Sequence, residues 1–80
     1  MSAAMDSNIG TIFVELLNEG TFVLRPTTGE AVSEGKFRLN VTSDYDPDLE
    51  TWRFTPGTIV VCEWEEHDGE LLLVAKAQAA

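Results

Sequence analysis

Residues 62–77, CEWEEHDGELLLVAKA, contain the chain's one cysteine, its one histidine and five carboxylates. Cys62 and His67 could form a thiolate–imidazole pair, or share a zinc ion with a neighbouring carboxylate. Either chemistry needs the two side chains on one side of the backbone and within bonding reach. Asp68-Gly69 is a strong signal for a type I′ hairpin turn, which puts Cys62 and His67 on the same strand. They stand an odd number of positions apart, and successive strand side chains alternate between faces. The two groups therefore point to opposite sides, about 16 Å apart along the strand. Cys62 reads as a small apolar core residue and His67 as an exposed strand-end residue, paired across to Glu70. The stretch reads as a hairpin whose acids form a solvated rim that discourages edge-to-edge aggregation.

Other constellations carry less chemistry. Asp44, Asp46, Asp48 and Glu50 alternate like calcium ligands, but the EF-hand pattern would put Leu49 at the turn glycine and Thr55 at the bidentate glutamate. Weak calcium binding is the most that loop offers. The paired carboxylates lack the apolar pocket that glycoside chemistry requires, and the chain has no phosphate-binding glycine loop, nucleophile elbow or second histidine. The reading is of a protein that is not an enzyme, with no cofactor, catalytic residue or dedicated metal site.

Binding is the better use of these residues. Tyr45, Trp52 and Arg53 belong to the types enriched at interface hot spots, and they lie in or beside an acidic run. With Asp44, Asp46, Asp48, Glu63 and Glu65 they make the candidate partner-binding set. Trp52 and Phe54 share parity, so the competing reading puts Trp52 in the core. Arg53 would then face outward and bridge to Asp48 or Glu50.

The chain has 80 residues, a net charge of −9 and 44% hydrophobic residues, which describes one small globular domain. Residues 1–8 are expected to be a disordered N-terminal segment and 9–80 a single domain. Domains of this size hold only about 3–5 kcal/mol unless cross-linked, and one cysteine forms no internal disulfide. A lone thiol, the absence of a secretory signal pattern and the absence of a long apolar run point to the cytoplasm. The charge is concentrated: residues 44–70 hold nine acids against Arg53 alone. Such a surface repels phosphate backbones and anionic membranes and favours a basic protein as partner.

The elements that would position these groups are short strands. Thr11–Leu17, Thr21–Arg25, Lys36–Val41 and Trp52–Phe54 carry branched, aromatic or strictly alternating residues, with Phe37, Leu39 and Val41 on one face. Pro26 should end the second strand, leaving residues 27–35 at most a short irregular strand around Ala31-Val32. Asn18-Glu19-Gly20 and Pro56-Gly57 read as turns, the latter of type II. Two long strands flank Asp68-Gly69, pairing Trp64 with Leu73, Cys62 with Ala75 and Val60 with Ala77 on a core face. On the other face, Leu72 and Val74 need cover. The architecture expected is all-β, five to six short antiparallel strands in a small SH3-like barrel, with a β-roll as alternative.

IFVELLNEGTFVLRP (12–26), DYDPDLETWRF (44–54) and PGTIVVCE (56–63) resemble a group of small bacterial single-domain proteins with no assigned function. Tryptophan is common in that group where Leu24 stands here. The resemblance implies a free-standing bacterial domain and supplies no activity, cofactor or site residue. The function expected is a protein-interaction module. The alternatives are a structural homodimer formed through Leu72 and Val74, or a weak metal- or small-ligand-binding protein.

Overall fold

Alternation builds the first strand. In β1 (Ile9–Leu17), Ile12, Val14 and Leu16 are buried, while Phe13 and Glu15 face outward and are half-covered. The computed structural model describes residues 9–42 and 45–79, so the expectations for residues 1–8 and for Asp44 fall outside it. Five further strands follow: β2 (Val23–Ser33), β3 (Lys36–Leu39), β4 (Thr51–Trp52), β5 (Ile59–His67) and β6 (Glu70–Gln78). No helix occurs among the described residues.

The six strands form one sheet in the order β2-β3-β5-β6-β1-β4, closed by a further pairing of β2 with β1. Five strands thus make a ring, a small barrel, and β4 hangs on β1 at Leu16 and Leu17. All strands were expected to pair antiparallel, but β1 and β6 run parallel, meeting at Phe13 and Val74. Parity requires this. Four successive reversals leave the first and fifth strands of a ring pointing the same way. Inside lie Ile12, Val14, Leu16, Leu39, Trp52, Val60, Cys62 and Ala75.

Turn chemistry follows the sequence closely. Asp68 and Gly69 both take positive φ, 53° and 85°, as a type I′ turn requires. Gly57 has φ 93°, and the Thr58 N–H donates to the Thr55 carbonyl at 3.1 Å, closing the Pro56-Gly57 turn. Asn18 and Gly20 also take positive φ between β1 and β2.

Four expectations are corrected. First, β2 does not stop at Pro26; it runs eleven residues to Ser33 and pairs with β1 from Ile9 to Leu16. Pro26 is tolerated because β3 covers the second edge of β2 only from Gly29 onward. Residues 27–33 look polar, yet Thr27 and Gly29 are the buried side of a regular alternation. Second, β3 ends at Leu39: Asn40 is tied to Thr28 by its backbone N–H and by its side-chain amide, each at 2.9 Å. Val41, expected on the core face, is 86% exposed.

Third, Trp64 pairs with Leu73 and Cys62 with Ala75, but a bulge after Val61 sets Val60 opposite Gln78 and leaves Ala77 exposed. Fourth, Trp64 is not in the core; it is 66% exposed. The reason is a mismatch of lengths. β3 pairs with β5 only from Ile59 to Val61, so the nine-residue strands β5 and β6 extend past the barrel as an arm.

Candidate functional site

The sequence directs attention first to residues 44–54, and the structure uses most of them to hold the barrel together. The Asp46 carboxylate accepts the Asp48 N–H at 2.9 Å, and the Asp46 carbonyl accepts the Leu49 and Glu50 N–H groups. This fixes a tight turn, with Asp48 exposed. The turn delivers Glu50 to Arg25 on β2. Arg25 donates through Nε, at 3.2 Å, and through Nη2, a forked ion pair. Trp52 Nε1 donates to the same carboxylate at 3.1 Å. These two donors, Arg25 first, hold the Glu50 carboxyl below its ordinary pKa. Tyr45 packs edge-on to Trp52 with ring centroids 5.0 Å apart. Trp52 is 4% exposed and belongs to the core.

Arg53 does not bridge to Asp48 or Glu50. Its backbone N–H bonds the Glu15 carbonyl, which aligns the side chain with the Glu15 carboxylate at 3.5 Å. Its guanidinium lies 5.1 Å from the centroid of Phe54. Of the centre of this cluster, Arg25 was not singled out from the sequence, and Glu50 reads there only as a calcium-type ligand or a partner of Arg53. Their separation of 25 positions hides the pair, and they meet because β2 and β4 both pair with β1, Arg25 opposite Val14 and Trp52 opposite Leu16.

The arm presents a different surface. The apolar residues of its outer face are covered by the chain itself, while Glu63 and Glu70 on that face are exposed. Val74, expected to lack cover, is 3% exposed beside Phe13 of β1, and Leu72 is half-buried. Phe22, from the β1–β2 loop, stacks on His67 with centroids 5.7 Å apart and planes 15° apart. Glu65 accepts from Lys76 and lies 3.0 Å from His67 Nε2. Lys76 first, then His67, keep the Glu65 carboxyl below its ordinary pKa. His67 therefore pairs with Glu65 on its own strand rather than with Glu70 across the turn.

The inner face of the arm is open. Trp64 and Leu71 are 66% and 68% exposed on the side that continues the barrel interior. Around them, Glu63, Glu66, Asp68 and Glu70 are exposed and have no ion-pair partner among the described residues. The candidate set thus divides. Tyr45, Asp46, Trp52 and Arg53 are engaged within the fold, Asp48 is exposed on the turn, Glu65 is committed to the outer face, and Glu63 stands on that same face, exposed. Trp64, Glu66 and Leu71 make up the open inner face, and none of them was in the candidate set. The signal that could have found them was the unequal length of neighbouring strands.

Chemically, Cys62 and His67 do lie on opposite faces. Burial pushes the Cys62 thiol up to about 11, so it is neutral at ordinary pH. No group of three or more His, Cys, Asp or Glu side chains is placed to hold a metal among the described residues. A cavity of about 230 Å³ at the barrel wall is lined by Thr11, Pro26, Thr27, Thr28, Thr42 and Trp52. Its chemistry is hydroxyl and apolar. No helix is long and apolar enough to cross a membrane among the described residues. No family model matches the chain, and neither the curated proteins nor the solved structures contain a match to it.

Proposed function

We propose that this chain is a non-enzymatic protein-interaction module of the bacterial cytoplasm, and that the β5–β6 arm receives a basic partner. One observation carries the reading: the arm covers Val74 on its outer face with its own chain, yet it leaves Trp64 and Leu71 open on the inner one, with Glu66 beside them and Glu63, Asp68 and Glu70 exposed around the rim. Exposed aromatics of this kind act as anchors in binding surfaces, and a surrounding set of like charges selects an oppositely charged partner. Residues 45–54 support the barrel and are not the primary contact.

The homodimer reading loses its motive with Val74 already covered inside the chain. Two arms facing each other would also oppose carboxylate to carboxylate. Affinity capture from a bacterial lysate tests the proposal, comparing the native chain with a Glu63→Lys/Glu66→Lys/Glu70→Lys variant. A basic protein held at low salt, released at high salt and absent from the variant is the expected result, because exposed charges are screened beyond about 10 Å at 0.1 M. Finding no salt-labile partner, or the same partner on the variant, would defeat it.

A further inference from the structure

The arm leaves open a strand edge as well as a face, and the backbone pattern shows which groups it offers. His67 and Glu70 flank the two-residue turn. In an antiparallel hairpin of that kind they exchange ladder hydrogen bonds, and bonded and non-bonded pairs then alternate along the strands. Glu65 with Leu72 and Glu63 with Val74 are therefore bonded pairs, whereas Trp64 and Glu66 turn their N–H and C=O groups away from β6. Cys62 has the same orientation, and its N–H donates outward to the Gly35 carbonyl at 3.0 Å. That bond is the last one on this side. Beyond Cys62 the edge of β5 has no strand partner among the described residues.

We propose that an extended, cationic segment of a partner protein adds to this edge as a further strand, bonding to the backbone of Trp64 and Glu66. The proposal rests on the reading of the arm as a site for a basic partner and specifies how that partner is held. Strand addition supplies affinity through main-chain bonds and specificity through alternate side chains. Here the alternate residues on one face of the incoming strand meet the open Trp64 and Leu71, which favour an apolar side chain. Glu66 projects beside them and Glu63 from the opposite face of the edge strand, with Asp68 and Glu70 beyond, and all four favour lysine or arginine. These carboxylates also explain how an open edge coexists with solubility. An acidic strand, including a second copy of this arm, is repelled, so the charge that blocks aggregation also selects the occupant.

The test uses the intact 80-residue chain, isotope-labelled, and a peptide of about seven residues alternating lysine and valine. Three comparisons accompany it: a glutamate–valine peptide, a lysine–valine peptide N-methylated along its bonding edge, and the Glu66→Pro variant of the protein. Proline at 66 removes an N–H that has no internal partner, and the methylated peptide gives the same information without altering the fold. Binding should slow amide exchange at Trp64 and Glu66. Methylation or Glu66→Pro should weaken it roughly five- to tenfold, the loss expected for one or two main-chain bonds. The acidic peptide should not bind. Equal binding by the methylated peptide, or unchanged exchange at both amides in the complex, overturns strand addition and leaves a basic partner in place. Equal binding by the acidic peptide overturns both. Failure of the lysine–valine peptide to bind overturns strand addition, with the lysate capture then deciding the broader reading.

Discussion

Glu50 joins three parts of the chain: the 45–50 turn that carries it, Arg25 on β2, and the indole of Trp52. Its pKa is lowered by Arg25 first and by Trp52 next. A lowered carboxylate contributes stability that is complete above its ordinary value of 4.5 and disappears as pH falls through the lowered one. Thermal melts should therefore show Glu50→Gln below the native chain at neutral pH, with the gap closing as the pH falls below 4.5. A gap independent of pH would mean that the ion pair contributes little. The two tryptophans separate just as clearly. Trp52→Ala should remove about 3–5 kcal/mol, enough to unfold so small a domain, whereas Trp64→Ala should change stability by at most about 0.5 kcal/mol. Fluorescence supplies the check on assignment, since Trp64→Phe should remove the red, solvent-exposed component of the emission. Cys62, buried and neutral, should resist aromatic disulfide reagents until denaturant is added.

At the scale of elements, the Ile12 side chain of β1 packs directly over Gly29 of β2. A Cβ built there would stand 2.4 Å from Ile12 Cδ1 and 3.2 Å from the Arg38 carbonyl oxygen. Gly29→Ala should destabilise by roughly 1–3 kcal/mol through overpacking. Gly10→Ala, on the same pair of strands with open space around it, is the control and should be nearly neutral. Thr27 offers the opposite case. Its hydroxyl is buried with no hydrogen-bond partner, so Thr27→Val should gain roughly 1 kcal/mol in denaturant unfolding. These positions also show what the sequence made legible. Strands read directly wherever large apolar residues alternate, and turns wherever Asp-Gly or Pro-Gly sets φ. The second half of β2 was hidden because its inward residues are Thr27 and Gly29, kept small by the close packing of Ile12. The arm's exposure was hidden for a different reason. Alternation shows which face Trp64 occupies but not whether a neighbouring strand reaches far enough to cover it, and β3 does not.

At the scale of the molecule, the barrel and the arm divide the work. The two long-range ion pairs, Arg25–Glu50 and Arg53–Glu15, stiffen the barrel or its β4 edge. The arm depends on its own ladder and on Phe22 leaning against His67. Phe22→Ala should loosen the arm selectively, raising amide exchange at Glu65 and Leu72 while leaving Val14 and Val60 protected. Uniform loss of protection would show instead that arm and barrel unfold as one unit.

The β5–β6 ladder also fixes where anything joined behind Gln78 would emerge. The Ala79 N–H donates to the Ile59 carbonyl at 2.8 Å, at the end of β5 farthest from the Asp68-Gly69 tip. A bulky fusion placed there would sit clear of the open tryptophan, so that side should be chosen when the protein is tethered to a bead or a sensor chip.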